Sequence, residues 1–321
     1  MSTYYQIFGG KVNVVSADPS NPIEGQMWYN TTSELLKYRG FAPAAWASGG
    51  NMATARRYIA GAGTQTSALG FGGDTSGSTG FVNNTEEYDG SSWTAGGNLG
   101  TARTYLAGCG TQTAALGFGG MAYPTNLSST EEYDGTSWTG GGNLATARRL
   151  LGGCGLQTAG LAFGGRTASA FNNTEEYDGT SWTGGGNMGT GRYALGGVGI
   201  QTAGLAFGGF GGSSLTEEYN GSSWTAGGTL NTARTSLSGA GTQTAALGFG
   251  GYAALSATEQ YDGTSWTTTT SMTTGRRALG GAGTQTAGLA FSGAITGPPP
   301  YSTATEEFTG AFIATKTVTA S

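Results

Sequence analysis

The stretch RRLLGGCGLQTAGLAFGGRTASAFNNTEEYDGTSW, running from Arg148 to Trp182, decides the fold. It cuts into four short pieces, each bounded by Gly, Asn or Asp-Gly. ARRLLGGCG alternates as a strand, here called a. TAGLAFGG is a second strand, b, ending in a glycine pair. NTEEYDG is a third, c, and SWTGGGN a fourth, d. Short β-type runs between turn residues, with no helical period, give a small antiparallel sheet.

The four pieces recur along the chain. After the first tryptophan, Trp46, Trp93, Trp138, Trp182, Trp224 and Trp266 follow at spacings of 47, 45, 44, 42 and 42 residues. A period in the forties with β composition is the signature of a propeller. Six complete copies begin near Arg56, Arg103, Arg148, Arg192, Arg234 and Arg276. Glycine pairs close strand b at Gly72–Gly73, Gly119–Gly120, Gly164–Gly165, Gly208–Gly209 and Gly250–Gly251, with Ser292–Gly293 a departure. Strand c carries Tyr88, Tyr133, Tyr177, Tyr219 and Tyr261, with Phe308 in the last copy.

Arg at the head, Gly-Gly after an apolar strand, then Tyr-Asp and a Trp about five residues on: this pattern resembles the Kelch motif over residues 56 to 310. The resemblance implies an all-β, Kelch-type β-propeller of four-stranded antiparallel blades. Kelch-like domains are mostly binding modules, so fold alone says little about function. Galactose oxidase shares only the scaffold, because its copper site needs histidines and this chain has none.

Composition agrees with a repeated β fold. Of 321 residues 63 are glycine, against a usual share of about 7%. The glycines keep no triplet register, so collagen is excluded. The 7 Trp, 15 Tyr and 13 Phe speak against disorder. The excess glycine is expected to serve tight turns and crowded inner strands near the axis.

Two closures of the ring fit the sequence. Ahead of the first full copy, GQMWYN resembles strand b, ELLKYRG strand c and AAWASGG strand d. A seven-bladed ring uses this set as its own blade and is the favoured reading. A six-bladed ring leaves GQMWYNTTSELLKYRG as an attached hairpin. Residues 1–24 read as an N-terminal attachment segment and residues 25–321 as the propeller.

Composition also narrows the chemistry. With no histidine, the commonest general base, the Ser-His-Asp triad and most zinc and copper sites are absent. No catalytic residue, metal or cofactor is expected. Fifteen of the 19 acids fall in the T-E-E-Y-D block, and neighbours such as Glu131 and Glu132 point to opposite faces of a strand, so they cannot share a proton. One Glu of each pair is expected to meet an Arg, and Asp-Gly to turn c into d. Cys109 and Cys154 occupy equivalent places; a small packed side chain is the main reading and an inter-blade disulfide the alternative. A net charge of −5 with few charged residues argues against nucleic acid. There is no long apolar run for membrane insertion, and MSTYYQIFGGKVNVV does not read as a signal peptide. No glycine-rich stretch has the lysine of a phosphate loop.

The copies differ mainly between b and c. These connections read DTSGSTGFVNN, MAYPTNLSS, RTASAFNN, FGGSSL, YAALSA and AITGPPPYSTA, the last stiffened by Pro298–Pro300. Scaffold turns are constrained, whereas recognition loops are free to vary. In an up-and-down blade the b–c and d–a connections emerge on one face. The candidate ligand-binding residues are therefore Phe81, Tyr123, Arg166, Phe171, Phe210, Tyr252 and Tyr301. Neutral loop drift, with the aromatics folded back, is the competing reading.

ADPSNPIEGQMWYNTTSELLKYRG resembles a short segment of tailed-phage fibre and virion-surface proteins, and SWTAGGNL with GTQTAALGFGG resembles Kelch-like proteins of marine bacteriophages. The resemblance implies a non-enzymatic virion protein, a tail fibre or head decoration, assembled in the host cytoplasm. It would meet other virion proteins through its N-terminal segment and a host glycan or surface protein through the variable loops, and self-assembly into a homo-oligomer is a further expectation. The alternatives are a purely structural spacer or cement protein, and a cellular Kelch scaffold for protein interaction.

Overall fold

The computed structural model describes residues 12–76, 80–210, 214–296 and 300–318. The start of the expected attachment segment, residues 1–11, and Pro298 and Pro299 lie outside them. By contact the chain divides into Met1–Ala45 with Gly310–Ser321 as one unit and Trp46–Thr309 as the other. This partition differs from a break at residue 24.

In the larger unit the pieces form six four-stranded sheets ordered a-b-c-d. The third shows the pattern: a is Gly152–Leu156, b Ala159–Phe163, c Thr174–Tyr177 and d Trp182–Gly184, each antiparallel to the next. Strand a of every sheet neighbours strand a of the sheets before and after it, and the sixth (Gly280–Gly283) neighbours the first (Ala60–Gly63). This unit is a β-propeller, and its ring closes with six blades. The favoured seven-blade closure is corrected: of the N-terminal b-c-d set only d, Ala45–Ser48, joins the ring. It completes the sixth sheet beside Thr305–Thr309, the one c strand with no d strand after it.

The alternation of strand c explains its sequence. In Thr174-Glu175-Glu176-Tyr177 successive side chains point to opposite faces. Thr174 and Glu176 face the fourth blade, where the Trp224 indole N–H donates to Thr174 at 2.9 Å and the Tyr219 hydroxyl donates to Glu176. Tyr177 faces the second blade and donates to Glu132 at 2.5 Å. Strand b supplies Phe163, whose ring centroid lies 5.0 Å from that of Trp224. Gln201, in the next a–b turn, donates to the carbonyls of Gly160 and Tyr177 at 3.1 and 2.7 Å. Five of the six seams combine an aromatic pair with polar latches that satisfy both the indole and the phenol when they are buried. Burying one such aromatic removes 150–250 Å² from water, on the order of 4–6 kcal/mol gross.

The arginine at the head of each copy is buried and serves its own blade. Arg148 donates to Glu175 at 3.0 Å and to the carbonyls of Gly164 and Asn173 at 3.1 and 3.0 Å. The other oxygen of Glu175 accepts the backbone N–H of Ala145 at 2.6 Å. The equivalent Arg–Glu pairs run from 2.5 to 3.0 Å in all six blades. The Arg–Glu expectation thus holds inside a blade. Burial lowers the pKa of Arg56 to about 10, against the opposing pull of Glu86, so the guanidinium stays charged at neutral pH.

Glycine is indispensable where the blades converge. A Cβ on Gly108 would lie 2.4 Å from the Phe71 ring of the preceding blade, and one on Gly153 2.6 Å from Phe118. Cys109 and Cys154 are buried and free, so the disulfide alternative is excluded. Burial pushes the Cys109 thiol up to about 12.

The smaller unit is one sheet. Asn13–Val15 runs parallel to Met27–Asn30, which pairs with Leu35–Ala42, which pairs with Phe312–Thr317. Asp18 organises it by accepting from the Trp28 indole at 3.0 Å, Asn30 at 2.7 Å and Lys37 at 2.7 Å. These hydrogen bonds, Lys37 foremost, draw the Asp18 carboxyl down to about 2.

Candidate functional site

The b–c loops and the chain entering strand a meet at one end of every blade. Short two-stranded bridges join them directly: Arg57 with Asp74, Thr104 with Met121, Arg149 with Arg166, Tyr193 with Phe210 and Arg277 with Ala294. The candidate residues are therefore on one face, but they differ in exposure. Tyr123 is 67% exposed, between the short strands Met121–Ala122 and Thr125–Asn126. Tyr252 is 59% exposed and Phe210 43%.

Phe81, Arg166, Phe171 and Tyr301 are half-buried. Phe81 bridges to Asp74 and Tyr301 to Ala294. Phe171 is tied down through its backbone, donating to Gly165 at 2.8 Å and accepting from Arg192 at 3.0 Å. Three of the six aromatic candidates thus lean on the scaffold, and three stand out from it.

A second set of residues on this face escapes comparison of the loops. The two positions after the fixed arginine hold Arg57-Tyr58, Thr104-Tyr105, Arg149-Leu150, Tyr193-Ala194, Thr235-Ser236 and Arg277-Ala278. They are as variable as the loops. The second of each pair has a left-handed backbone, with φ between 52° and 60°, although none is glycine. Such residues store strain and need surrounding structure to hold them. A backbone belt supplies it: Leu150 donates to Tyr105, Ala194 to Leu150, Ser236 to Ala194, Ala278 to Ser236 and Tyr58 to Ala278, at 2.7 to 2.9 Å. At the remaining joint the rings of Tyr58 and Tyr105 meet with centroids 4.2 Å apart.

Inside the belt lies an axial cavity of about 140 Å³, lined by residues 58–61, 105–108, 150–153, 194–197, 236–239 and 278–281. Ligand pockets usually offer about 300–1,000 Å³. The axis is therefore a narrow throat, and the room for a large ligand is on the face around it. That face is built of aromatic and guanidinium planes. Tyr193 and Phe210 stack at 4.9 Å with planes 12° apart, and the Arg166 guanidinium lies 4.6 Å from the Tyr193 centroid. Arg277 lies 5.0 Å from Tyr252, and Arg57 is 5.1 Å from both Tyr58 and Tyr301.

Among the described residues no group of three or more His, Cys, Asp or Glu is placed to hold a metal ion. Searches of protein-family models and of curated proteins return no match to the chain.

Proposed function

We propose that the protein is a Kelch-like propeller of a phage virion, acting as a tail-fibre or head-decoration adhesin that binds a host-surface glycan or protein through the b–c face. The observation that carries this reading is the coincidence of variability with exposed rings. The loops and the pair after each arginine are where the copies differ, and there Tyr123, Phe210 and Tyr252 stand out from the fold. Elsewhere the copies repeat their seam residues almost without change. Planar aromatic and guanidinium groups on a rigid frame give contact area at low conformational cost. The attachment role of the N-terminal segment and the virion location rest on its resemblance to phage proteins.

The test is adsorption of fluorescently labelled protein to a panel of marine bacterial isolates, comparing the wild type with a Tyr123→Ser/Phe210→Ser double variant. Phe210 is chosen over Phe171 because its ring is exposed, whereas that of Phe171 is half-buried. Wild-type adsorption to some isolates, weakened about tenfold or more in the variant at an unchanged melting temperature, supports recognition by this face. Equal adsorption by both proteins refutes it. Adsorption to none favours a structural spacer.

A further inference from the structure

The acids of the propeller are spent inside it or turned away from the b–c face. The first Glu of each block holds the buried arginine of its blade. The second, in five blades, accepts a tyrosine hydroxyl from the next blade. Asp89, Asp134, Asp178 and Asp262 are exposed in the c–d turns, at the opposite end of the sheets, where each caps its own turn.

On the b–c face this leaves Arg57, Arg149, Arg166 and Arg277 against Asp74 alone, three positive charges in excess on a chain whose total is −5. The loop residues outside the described set add no charge. Asp74 is already engaged by Arg57 at 3.3 Å and by the Thr104 hydroxyl at 3.3 Å. The other three arginines rest on neutral groups. Arg149 donates to the Asn126 side-chain oxygen at 2.9 Å, and Arg166 to the carbonyls of Thr167 and Ala168 at 3.2 and 3.0 Å. Arg277 lies over the Tyr252 ring.

Arg149 and Arg166 belong to one blade, where their backbones exchange hydrogen bonds of 3.1 and 2.9 Å. Their guanidinium groups diverge, Arg149 to Asn126 of the preceding blade and Arg166 over the Tyr193 ring of the following one. Neither forms an ion pair with a carboxylate among the described residues. Stacking on a tyrosine occupies the face of a guanidinium and leaves its in-plane donors, which grip a carboxylate or sulfate two at a time.

We infer that the b–c face binds an acidic polysaccharide, with its carboxylate or sulfate groups on Arg149, Arg166 and Arg277 and its sugar rings on Phe210 and Tyr252. The inference rests on the proposed recognition face and narrows its ligand to an anion. Excess cationic charge complements such a chain, with Arg149 and Arg166 on the third blade and Arg277 on the sixth offering separate points of contact on one face.

The experiment is calorimetric titration of the full chain with polygalacturonate oligosaccharides, dextran sulfate and unsulfated dextran, repeated at rising salt. Binding of at least one polyanion is expected, roughly tenfold or more tighter than neutral dextran and weakening with salt. Polygalacturonate as the tighter probe identifies carboxylate as the recognised group, and dextran sulfate identifies sulfate. Arg166→Gln and Arg277→Gln should each cost about tenfold. Arg39→Gln, which removes one charge from the smaller unit, should change affinity less than about twofold. The salt dependence of the wild type stands as a readout even if a variant folds poorly.

Equal binding of neutral dextran, no binding of either polyanion, or an equal loss in Arg39→Gln overturns the inference. If neutral dextran binds and Tyr123→Ser/Phe210→Ser weakens it, the charge inference falls while the recognition face stands.

Discussion

One seam of the ring lacks a latch, and restoring it measures what the latch contributes. At five seams a buried tyrosine hydroxyl meets a glutamate of the preceding blade, at 2.5–2.6 Å in four of them and closer still for Tyr219 with Glu176. Where the fifth blade meets the sixth, both partners change together. Phe308 stands in the tyrosine place and Gln260 in the glutamate place, and Gln260 donates instead to the Gln285 carbonyl at 3.5 Å. A carboxylate there would be half-buried with no phenol to hold it, which explains why the two differences occur in concert.

The perturbation is the pair Phe308→Tyr and Gln260→Glu, singly and together. Hydrogen bonds to an ionised partner contribute about 1.5–3 kcal/mol net, so a double-mutant cycle should show a favourable coupling of that order. Gln260→Glu alone should destabilise by about 1 kcal/mol, and Phe308→Tyr alone should change little because the amide still accepts the hydroxyl weakly. Reversible urea unfolding with a constant m-value reads the four stabilities. A coupling below about 0.5 kcal/mol, the usual scatter for independent sites, refutes the view that the Tyr–Glu contact joins adjacent blades.

Two further outcomes follow from the repeated contacts. Arg148→Ala leaves Glu175 buried without its cation and should cost about 3–5 kcal/mol in unfolding free energy, while affinity for any polyanion stays unchanged; a loss of binding at an unaltered melting temperature would contradict the structural role. The alkaline limb of stability should be steep: burial and the neighbouring glutamate push Tyr88, Tyr133, Tyr177, Tyr219 and Tyr261 from the ordinary phenol value of 10.0 up to about 12. These phenols hold their protons more tightly when folded, so their contribution is complete below about pH 10 and is lost as pH rises toward about 12. Unfolding monitored by tryptophan fluorescence should move to lower urea across that window, and Tyr177→Phe should make the movement shallower. A midpoint indifferent to pH from 10 to 12 would refute the assignment.

The blades were legible because each repeated residue has one repeated job. T-E-E-Y reads directly as two faces of a strand, one turned to the blade before and one to the blade after. The number of blades was harder to read. The N-terminal set offers b-, c- and d-like pieces, and local pattern cannot tell a blade from two strands of another sheet plus a borrowed edge. The decisive signal was a mismatch: the copy at Arg276 has a strand c carrying Phe308 but no tryptophan after it, and Trp46 has no strand a of its own. Each fragment completes the other, because an unpaired sheet edge is costly.

The candidate face was only half visible. Loop variability pointed to Tyr123, Phe210 and Tyr252, but Arg57, Tyr58, Tyr193 and Arg277 sit immediately beyond an invariant arginine in a connection that reads as fixed scaffold. Comparing the copies at just those two positions would have found them. That Phe171 is braced by its backbone depends on hydrogen bonds no loop sequence displays.

The borrowed strand has an architectural consequence. The propeller begins at Trp46 and finishes at Thr309, in neighbouring strands of one blade, and the Trp46 and Phe308 ring centroids are 5.2 Å apart. The chain thus enters and leaves the propeller at adjacent points of one blade. Domains with adjoining termini tolerate transplantation into loops of unrelated hosts. The segment from Trp46 to Thr309 can accordingly be moved onto another carrier as one piece, bringing all its loops along in their native arrangement.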